Sequence, residues 1–271
     1  MAEYTGSMNK GLITKRFTRG LATYEAEAGV QEQAARMVAS RLCNHFPEVC
    51  HRLLEIGCGT GMLTREIVRK MSVRNWFLND IVPECESLVR KHLACLSESQ
   101  QAQVHFLNGD AETIPFPSEL DAITSSSALQ WMHDLPGLLA KAHTALRQGG
   151  WFCASSFGPE NLTEVRQLTG IGLPYPDISA LREWLQKDYD EVHIWEQKRV
   201  LYFDSPGDVL VHLRKTGVNG IRAQLWTPAA LRQFSKEYSK IFAQDGQVPL
   251  TYHLVFLEAH KPSTRGGSNP E

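Results

Sequence analysis

Glu55-Ile56-Gly57-Cys58-Gly59-Thr60-Gly61 follows the apolar run Leu53-Leu54 and leads into a stretch with helical spacing. Alternate glycines in such a turn let the backbone bend sharply and come close to a ligand. The chemistry this serves is the holding of a nucleotide-like group. Asp80 closes a second apolar run, roughly 20 residues past the loop, where a carboxylate can accept bonds from both hydroxyls of a ribose. A third element, Asn108-Gly109-Asp110-Ala111-Glu112, follows another apolar run. There a carboxylate can accept from an adenine amino group, while the Ala111 N–H can donate to a ring nitrogen.

The pattern selects among nucleotides. A dinucleotide fingerprint, G-x-G-x-x-G, needs a glycine where Met62 stands. The form E-x-G-x-G-x-G, with an acid ahead of the loop, is the one taken by S-adenosylmethionine sites. The candidate cofactor residues of this core are Glu55, Gly57, Cys58, Gly59, Gly61, Asp80, Ile81, Asp110, Ala111 and Ser125. Two other readings stay open. One is an NAD-dependent oxidoreductase, against which Met62 and the Asp110 element count. The other is a non-catalytic protein with a decayed site, against which the intact Glu55, glycines, Asp80 and Asp110 count.

These residues need a frame. Apolar residues at helical spacing over Ala22–Leu42 (Ala34, Ala35, Met37, Val38, Leu42) predict a helix leading into the core. Strands are expected at 51–57, 75–80, 104–107, 121–125 and 151–156. Helices are expected at 60–71, 85–96 and 135–146, and a turn at Gly149-Gly150. Strands alternating with helices of this length imply βαβ units and a parallel sheet. After Phe157 the rhythm breaks. Residues 158–189 read as helix interrupted by Pro159, Pro174 and Pro176, and Val192–Phe203 as one or two strands. Helices are expected over Pro206–Lys215 and Pro228–Phe242. Leu250–His260 reads as a long strand, antiparallel because a helix feeds directly into it. The fold class is α/β: a doubly wound, Rossmann-like, mostly parallel sheet with an antiparallel C-terminal strand and a helical lid insertion. The divisions are an N-terminal helical segment over the cofactor site (1–45), a core (46–157), a lid and substrate insertion (158–225), a C-terminal helix and strand completing the core (226–262), and a disordered tail (263–271).

Composition narrows the classes. The chain has 271 residues, 42% hydrophobic, enough for a sizeable single core. A net charge of −2 argues against a dedicated nucleic-acid binder. No apolar run reaches the ~18–20 residues of a membrane span, and the start lacks the apolar stretch of a secretory signal. Six scattered cysteines without Cys-x-x-Cys pairs read as free thiols in a reducing compartment, so no metal and a cytoplasmic setting are expected.

The core resembles a class I S-adenosylmethionine-dependent methyltransferase. More narrowly, residues 10–262 resemble the malonyl-[acyl-carrier protein] O-methyltransferases of biotin synthesis. Phe17-Thr18-Arg19-Gly20-Leu21-Ala22-Thr23-Tyr24-Glu25-Ala26-Glu27-Ala28-Gly29-Val30-Gln31 is similar to that family's opening, F-x-R-x-x-x-x-Y-x-x-x-A-x-x-Q. Ser125-Ser126-Ser127-Ala128-Leu129-Gln130-Trp131 resembles its strand-four ending, with Ser125-Ser126 where the family usually reads S-N. His212-Leu213-Arg214-Lys215-Thr216-Gly217-Val218-Asn219 resembles its lid, and Pro249-Leu250-Thr251-Tyr252-His253 the entry to its last strand. The resemblance implies that Tyr24 and Gln31 sit on an N-terminal helix closing over the cofactor. It implies a malonyl group on acyl carrier protein as substrate, S-adenosylhomocysteine as product and a monomeric enzyme. The rival acceptor is a quinone, a sterol or a small free acid.

A carboxylate acceptor is already ionised at neutral pH, so no general base is expected despite ten histidines. Something cationic should select it: His212, Arg214 and Lys215, with Arg199 nearby in sequence. The same residues, or the basic run Lys10, Lys15, Arg16 and Arg19, would alternatively meet an acidic carrier protein. Trp131 and His133, just past strand four, are candidates for lining the acyl pocket.

Overall fold

The structure is a computed structural model, and it describes residues 10–101, 103–216 and 227–263, without the side chains of Leu12, Arg16 and Ala22. The end of the lid stretch, Gly217–Asn219, and the tail from Thr264 lie outside the described residues.

Helices α1 (Lys10–Glu27) and α2 (Gly29–His45) come first. Then follow β1 (Val49–Ile56), α3 (Met62–Val68), β2 (Ser72–Asp80), α4 (Cys85–His92), the short α5 (Glu98–Gln101), β3 (Val104–Asn108) and β4 (Leu120–Ser126). After a 3-10 turn at Leu129–Trp131 come α6 (Leu135–Ala145), β5 (Leu146–Phe157), α7 (Thr163–Thr169) and α8 (Ile178–Leu185). The chain closes with β6 (Glu191–Phe203), α9 (Pro206–Lys215), α10 (Pro228–Phe242) and β7 (Val248–His260).

The seven strands form one sheet in the order β3-β2-β1-β4-β5-β7-β6. β1 to β5 pair in parallel. β7 runs the other way. The Gly149 N–H donates to the Lys261 carbonyl at one end, and the Gly158 N–H to the His253 carbonyl at the other. The expected α/β sheet, mostly parallel with an antiparallel C-terminal strand, is therefore the one that forms. Its order reverses direction between β1 and β4, the place where doubly wound sheets bind ligands. β4 is buried along nearly its whole length, as a central parallel strand must be.

Three helices begin by one local device. Asp134, Ser205 and Thr227 each accept a backbone N–H three residues on, from Gly137, Asp208 and Ala230, and each helix carries proline in its first turn. The side chain satisfies an orphan donor, and proline's fixed φ suits that turn.

Several boundaries differ from expectation. The single helix over 22–42 is two helices meeting at Ala28, and α1 starts twelve residues before Ala22, at Lys10. Gly11 and Gly20 lower the helical propensity of α1, while packing of α1 against α9 supplies what propensity lacks. Gly149-Gly150 is not a turn before a strand. It is an irregularity inside β5, with Gly149 at φ +72° and the β4 register shifting between Leu120 and Ala122. A Cβ on Gly150 would meet the Arg147 and Leu120 carbonyl oxygens at 2.9 and 3.1 Å, so the strand continues where a side chain would block it. Val192–Phe203 is one strand, β6.

The chain divides into two compact units. The first holds residues up to Gln33, Phe157–Asp177 and Glu196–Val255; within it α10 packs on α7 and α9. The second holds Ala34–Ser156, Ile178–Trp195 and the residues from Phe256. Its fully buried side chains include Trp76, Phe152, Leu53, Leu54, Ile56 and Leu78. All six cysteines are free. Among the described residues no helix is long and apolar enough to cross a membrane.

Candidate active site

The glycine loop joins β1 to α3 in the second unit. Gly57, Gly59 and Gly61 have φ of +67°, +53° and +89°, which side-chain-bearing residues rarely adopt. Space is short as well. A Cβ on Gly57 would lie 2.4 Å from the Ala128 Cβ, and one on Gly61 would lie 2.7 Å from the His92 ring. Cys58 is buried, its N–H donates to the Asn79 carbonyl at 2.9 Å, and burial pushes its thiol well above the ordinary range.

Asp80, at the end of β2, is 6% exposed and faces this loop. Its Oδ2 accepts the Gly59 N–H at 2.8 Å and its Oδ1 the Val82 N–H at 2.9 Å. Burial raises its pKa against the lowering effect of those donors. One bond on each oxygen leaves further lone-pair capacity on both. Ile81 beside it is exposed.

The parallel register sets Asp80 beside Asn108, so the third element follows at the same sheet edge. The Asp110 Oδ1 accepts the Glu112 N–H at 3.0 Å, and Ala111 is buried. Two residues without a role in the sequence reading hold this segment. Lys141, on α6, donates from its ammonium to the Ala111 carbonyl at 2.7 Å and to the Ile114 carbonyl. Glu112 accepts the His133 and Asp134 N–H groups at 3.1 and 2.6 Å, tying the β3 loop to the segment after β4. Asn79 adds bonds to the Leu107 and Gly109 carbonyls. A lysine on an amphipathic helix gives no sequence signal for such a clamp.

Two of the expected cofactor residues act on the frame. The Ser125 Oγ donates to the Ile56 carbonyl at 2.8 Å and is fully buried. Glu55 lies beneath the loop, where the Thr64 hydroxyl donates to its Oε2 at 2.6 Å. Burial pushes the Glu55 carboxyl up to about 8. Its folded pKa lies above the unfolded one, so the folded chain keeps a proton that the unfolded chain has lost. The stability this contributes is complete below about 4.5 and is lost as pH rises through about 8. The expected slope in that window is about 1.4 kcal/mol per pH unit at most. Glu55→Gln, which copies the protonated carboxyl, should flatten it. Urea unfolding of both proteins at several pH values checks this; an identical slope in the variant would contradict it.

Trp131, half-buried, closes the 3-10 turn after β4, and His133 is exposed. In the first unit, Tyr24 is half-buried on α1 and Gln31 is buried on α2, rather than both on one helix. The His212 Nε2 lies 2.9 Å from the Tyr252 hydroxyl, and the Thr216 hydroxyl donates to the His212 carbonyl at 3.0 Å. Burial lowers the His212 pKa. The Lys215 ammonium donates to Glu27 Oε1 at 2.6 Å, which holds that carboxyl below its usual range. Arg199 and Arg214 are exposed. The cations proposed to grip a carboxylate are therefore bonded within the first unit (His212, Lys215) or exposed (Arg199, Arg214).

Buried side-chain polar atoms of the second unit without a hydrogen-bond partner among the described residues include Thr60 Oγ1, Ser127 Oγ, Gln130 Oε1 and Ser156 Oγ, which lie in the glycine loop or at and just after the ends of β4 and β5. Thr60 belongs to the glycine loop. With three left-handed glycines and a buried carboxylate at the next strand end, it forms a cradle that fits an adenosyl group.

Comparison with known proteins agrees with this chemistry. A methyltransferase domain matches residues 54–154. The malonyl-[acyl-carrier protein] O-methyltransferase of Bacteroides thetaiotaomicron is 39% identical over 268 residues, covering 94% of this chain and 99% of that protein. The protein of the same name from Porphyromonas gingivalis is 39% identical over 255 residues, covering 92% and 94%. Among solved structures, Haemonchus contortus phosphoethanolamine N-methyltransferase 2, in complex with S-adenosyl-L-methionine, shares the fold. Its TM-score is 0.57 at 17% identity, over 90% of this chain and 57% of that one. The cradle at the ends of β1, β2 and β3, with full-length identity of this order, shows that the chain belongs to the malonyl-[acyl-carrier protein] O-methyltransferase family of S-adenosylmethionine-dependent class I methyltransferases.

Proposed function

We propose that this chain methylates the free carboxylate of a malonyl group carried on acyl carrier protein, giving the methyl ester that primes pimeloyl synthesis for biotin. The observation that carries this reading is the 39% identity to proteins of that name over nearly the whole of both chains.

S-adenosylmethionine, when bound, would supply a sulfonium methyl carbon for in-line attack by the carboxylate oxygen, with the C–S electron pair leaving on sulfur as S-adenosylhomocysteine. The chain's own work is to hold, orient and dry the site. Asp80 serves the ribose hydroxyls, Asp110 and Ala111 the adenine, and Gly57, Gly59 and Gly61 let the backbone approach. Tyr24 and Gln31 serve the cofactor from α1 and α2. Trp131 and His133 line the acyl side, and residues 158–225 form the substrate insertion. No residue acts as a general base, because the nucleophile is ionised at neutral pH. Opposite charges cancel as the bond forms, so excluding water favours the reaction. Alignment at about 3 Å can contribute ~7–11 kcal/mol. The enzyme works as a cytoplasmic monomer in this reading, with Arg214 and Arg199 free to meet an acidic carrier surface.

Incubation with labelled S-adenosylmethionine and either malonyl- or acetyl-carrier protein tests the acceptor. Label should pass to the malonyl form and not to the acetyl form. Silence with both, beside activity on a quinone or a sterol, would replace the proposed acceptor.

A further inference from the structure

We propose that Ser127 and Ser156 form the subsite that binds the acceptor's carboxylate, through neutral hydroxyl donors rather than a cation. This rests on the carboxylate acceptor proposed above.

The C-terminal ends of β4 and β5 carry five serines, Ser125-Ser126-Ser127 and Ser155-Ser156. The strands pair in parallel, Ser125 with Ala154 and Ser126 with Ser155. The Ser127 N–H donates to the Ser155 carbonyl at 3.1 Å, which carries the ladder one step on, to the level of Ser156. Three hydroxyls of the set have partners in the protein. Ser125 bonds the Ile56 carbonyl, and the Ser126 and Ser155 oxygens lie 3.1 Å apart. The Ser127 and Ser156 oxygens have none among the described residues, although both are shut off from solvent and Ser156 is 2% exposed. Native proteins seldom leave buried hydroxyls unpaired, so two at one strand-end level mark a place where an acceptor belongs.

The position suits the reaction. Ser127 precedes Ala128, whose Cβ stands where a Gly57 side chain would be, so this segment lies directly against the glycine loop. Ser127 itself is held at φ +55°, a conformation non-glycine residues rarely keep without a reason. The chemistry suits it too. A guanidinium or ammonium would bind a carboxylate strongly and draw charge from the attacking oxygen. Hydroxyl donors bind more weakly and leave that charge available.

The test uses the full chain with labelled S-adenosylmethionine and malonyl-carrier protein, comparing wild type with Ser127→Ala, Ser156→Ala and Ser156→Thr. Each alanine variant should lower kcat/KM for malonyl-carrier protein at least tenfold. The Kd for S-adenosylhomocysteine by calorimetry should stay within twofold, and Tm should hold or rise. Ser156→Thr, which keeps the hydroxyl, should retain most activity. A tenfold weaker Kd for S-adenosylhomocysteine in the alanine variants would overturn the proposal, because the hydroxyls would then serve the cofactor. Unchanged kcat/KM would overturn it in favour of hydroxyls that hold only buried water. An inactive wild type would instead overturn the acceptor itself, and this subsite with it.

Discussion

Gly57→Ala should abolish cofactor binding in any material that folds, and should destabilise the chain by about 2–5 kcal/mol. Two costs combine. An L-residue in the left-handed region costs roughly 1–2 kcal/mol, and Gly57 has φ +67°. The added Cβ would then lie 2.4 Å from the Ala128 Cβ, a distance that forces backbone movement on one side. Overpacking of this kind typically costs about 1–3 kcal/mol. The neighbour that must give way is the segment after β4, so the loop and that segment lose their shape together. Gly29→Ala is the control. Gly29 has nothing within 4 Å of its virtual Cβ and opens α2, so alanine there should be neutral or stabilising. Urea unfolding and calorimetry with S-adenosylhomocysteine read both quantities. A Gly57→Ala protein with unchanged affinity and stability would show that the loop tolerates a side chain.

Asp80→Ala should weaken S-adenosylmethionine binding at least tenfold while the protein stays folded. The carboxylate has two functions in this site. It accepts the Gly59 and Val82 N–H groups, which sets the loop's distance from β2. Its remaining lone pairs are those the ribose hydroxyls need, and charge-assisted bonds of this type are about twice as strong as neutral ones. Removing it leaves two backbone donors without their acceptor, so loop order and ligand contact fall together. Asp80→Asn should lie between, because the amide keeps one acceptor oxygen and replaces the other with a donor. Equal dissociation constants for wild type and Asp80→Ala would reject the ribose role.

Much of the site's outline is local in sequence. The glycine loop, Asp80 and the Asp110 segment each lie at the end of a short apolar run, and strands alternating with helices leave little choice but a parallel sheet. The three N-caps with proline in the first turn, at Asp134, Ser205 and Thr227, are equally local signals. What eluded the sequence is non-local. Lys141 reaches the Ala111 carbonyl 30 residues away, and Lys215 reaches Glu27 across 188 residues. Nothing in the spacing of an amphipathic helix distinguishes a lysine bound to carbonyls from one in water. α1 was obscured by its two glycines, since tertiary contact with α9 outweighs weak propensity.

The sequence by itself determined the alternation of strands and helices from β1 to β5, the glycine turn and the acids that follow it, because each depends on residues a few positions apart. Only the tertiary structure decided what those groups do. It buried Glu55, which pushes its carboxyl up to about 8 despite the Thr64 hydroxyl's bond, turned Ser125 onto the Ile56 carbonyl and engaged Lys215 with Glu27. It also left the Ser127 and Ser156 hydroxyls without a partner among the described residues. A side chain's charge state and hydrogen-bond capacity depend on burial and on neighbours from distant segments, which exist only once the chain has folded.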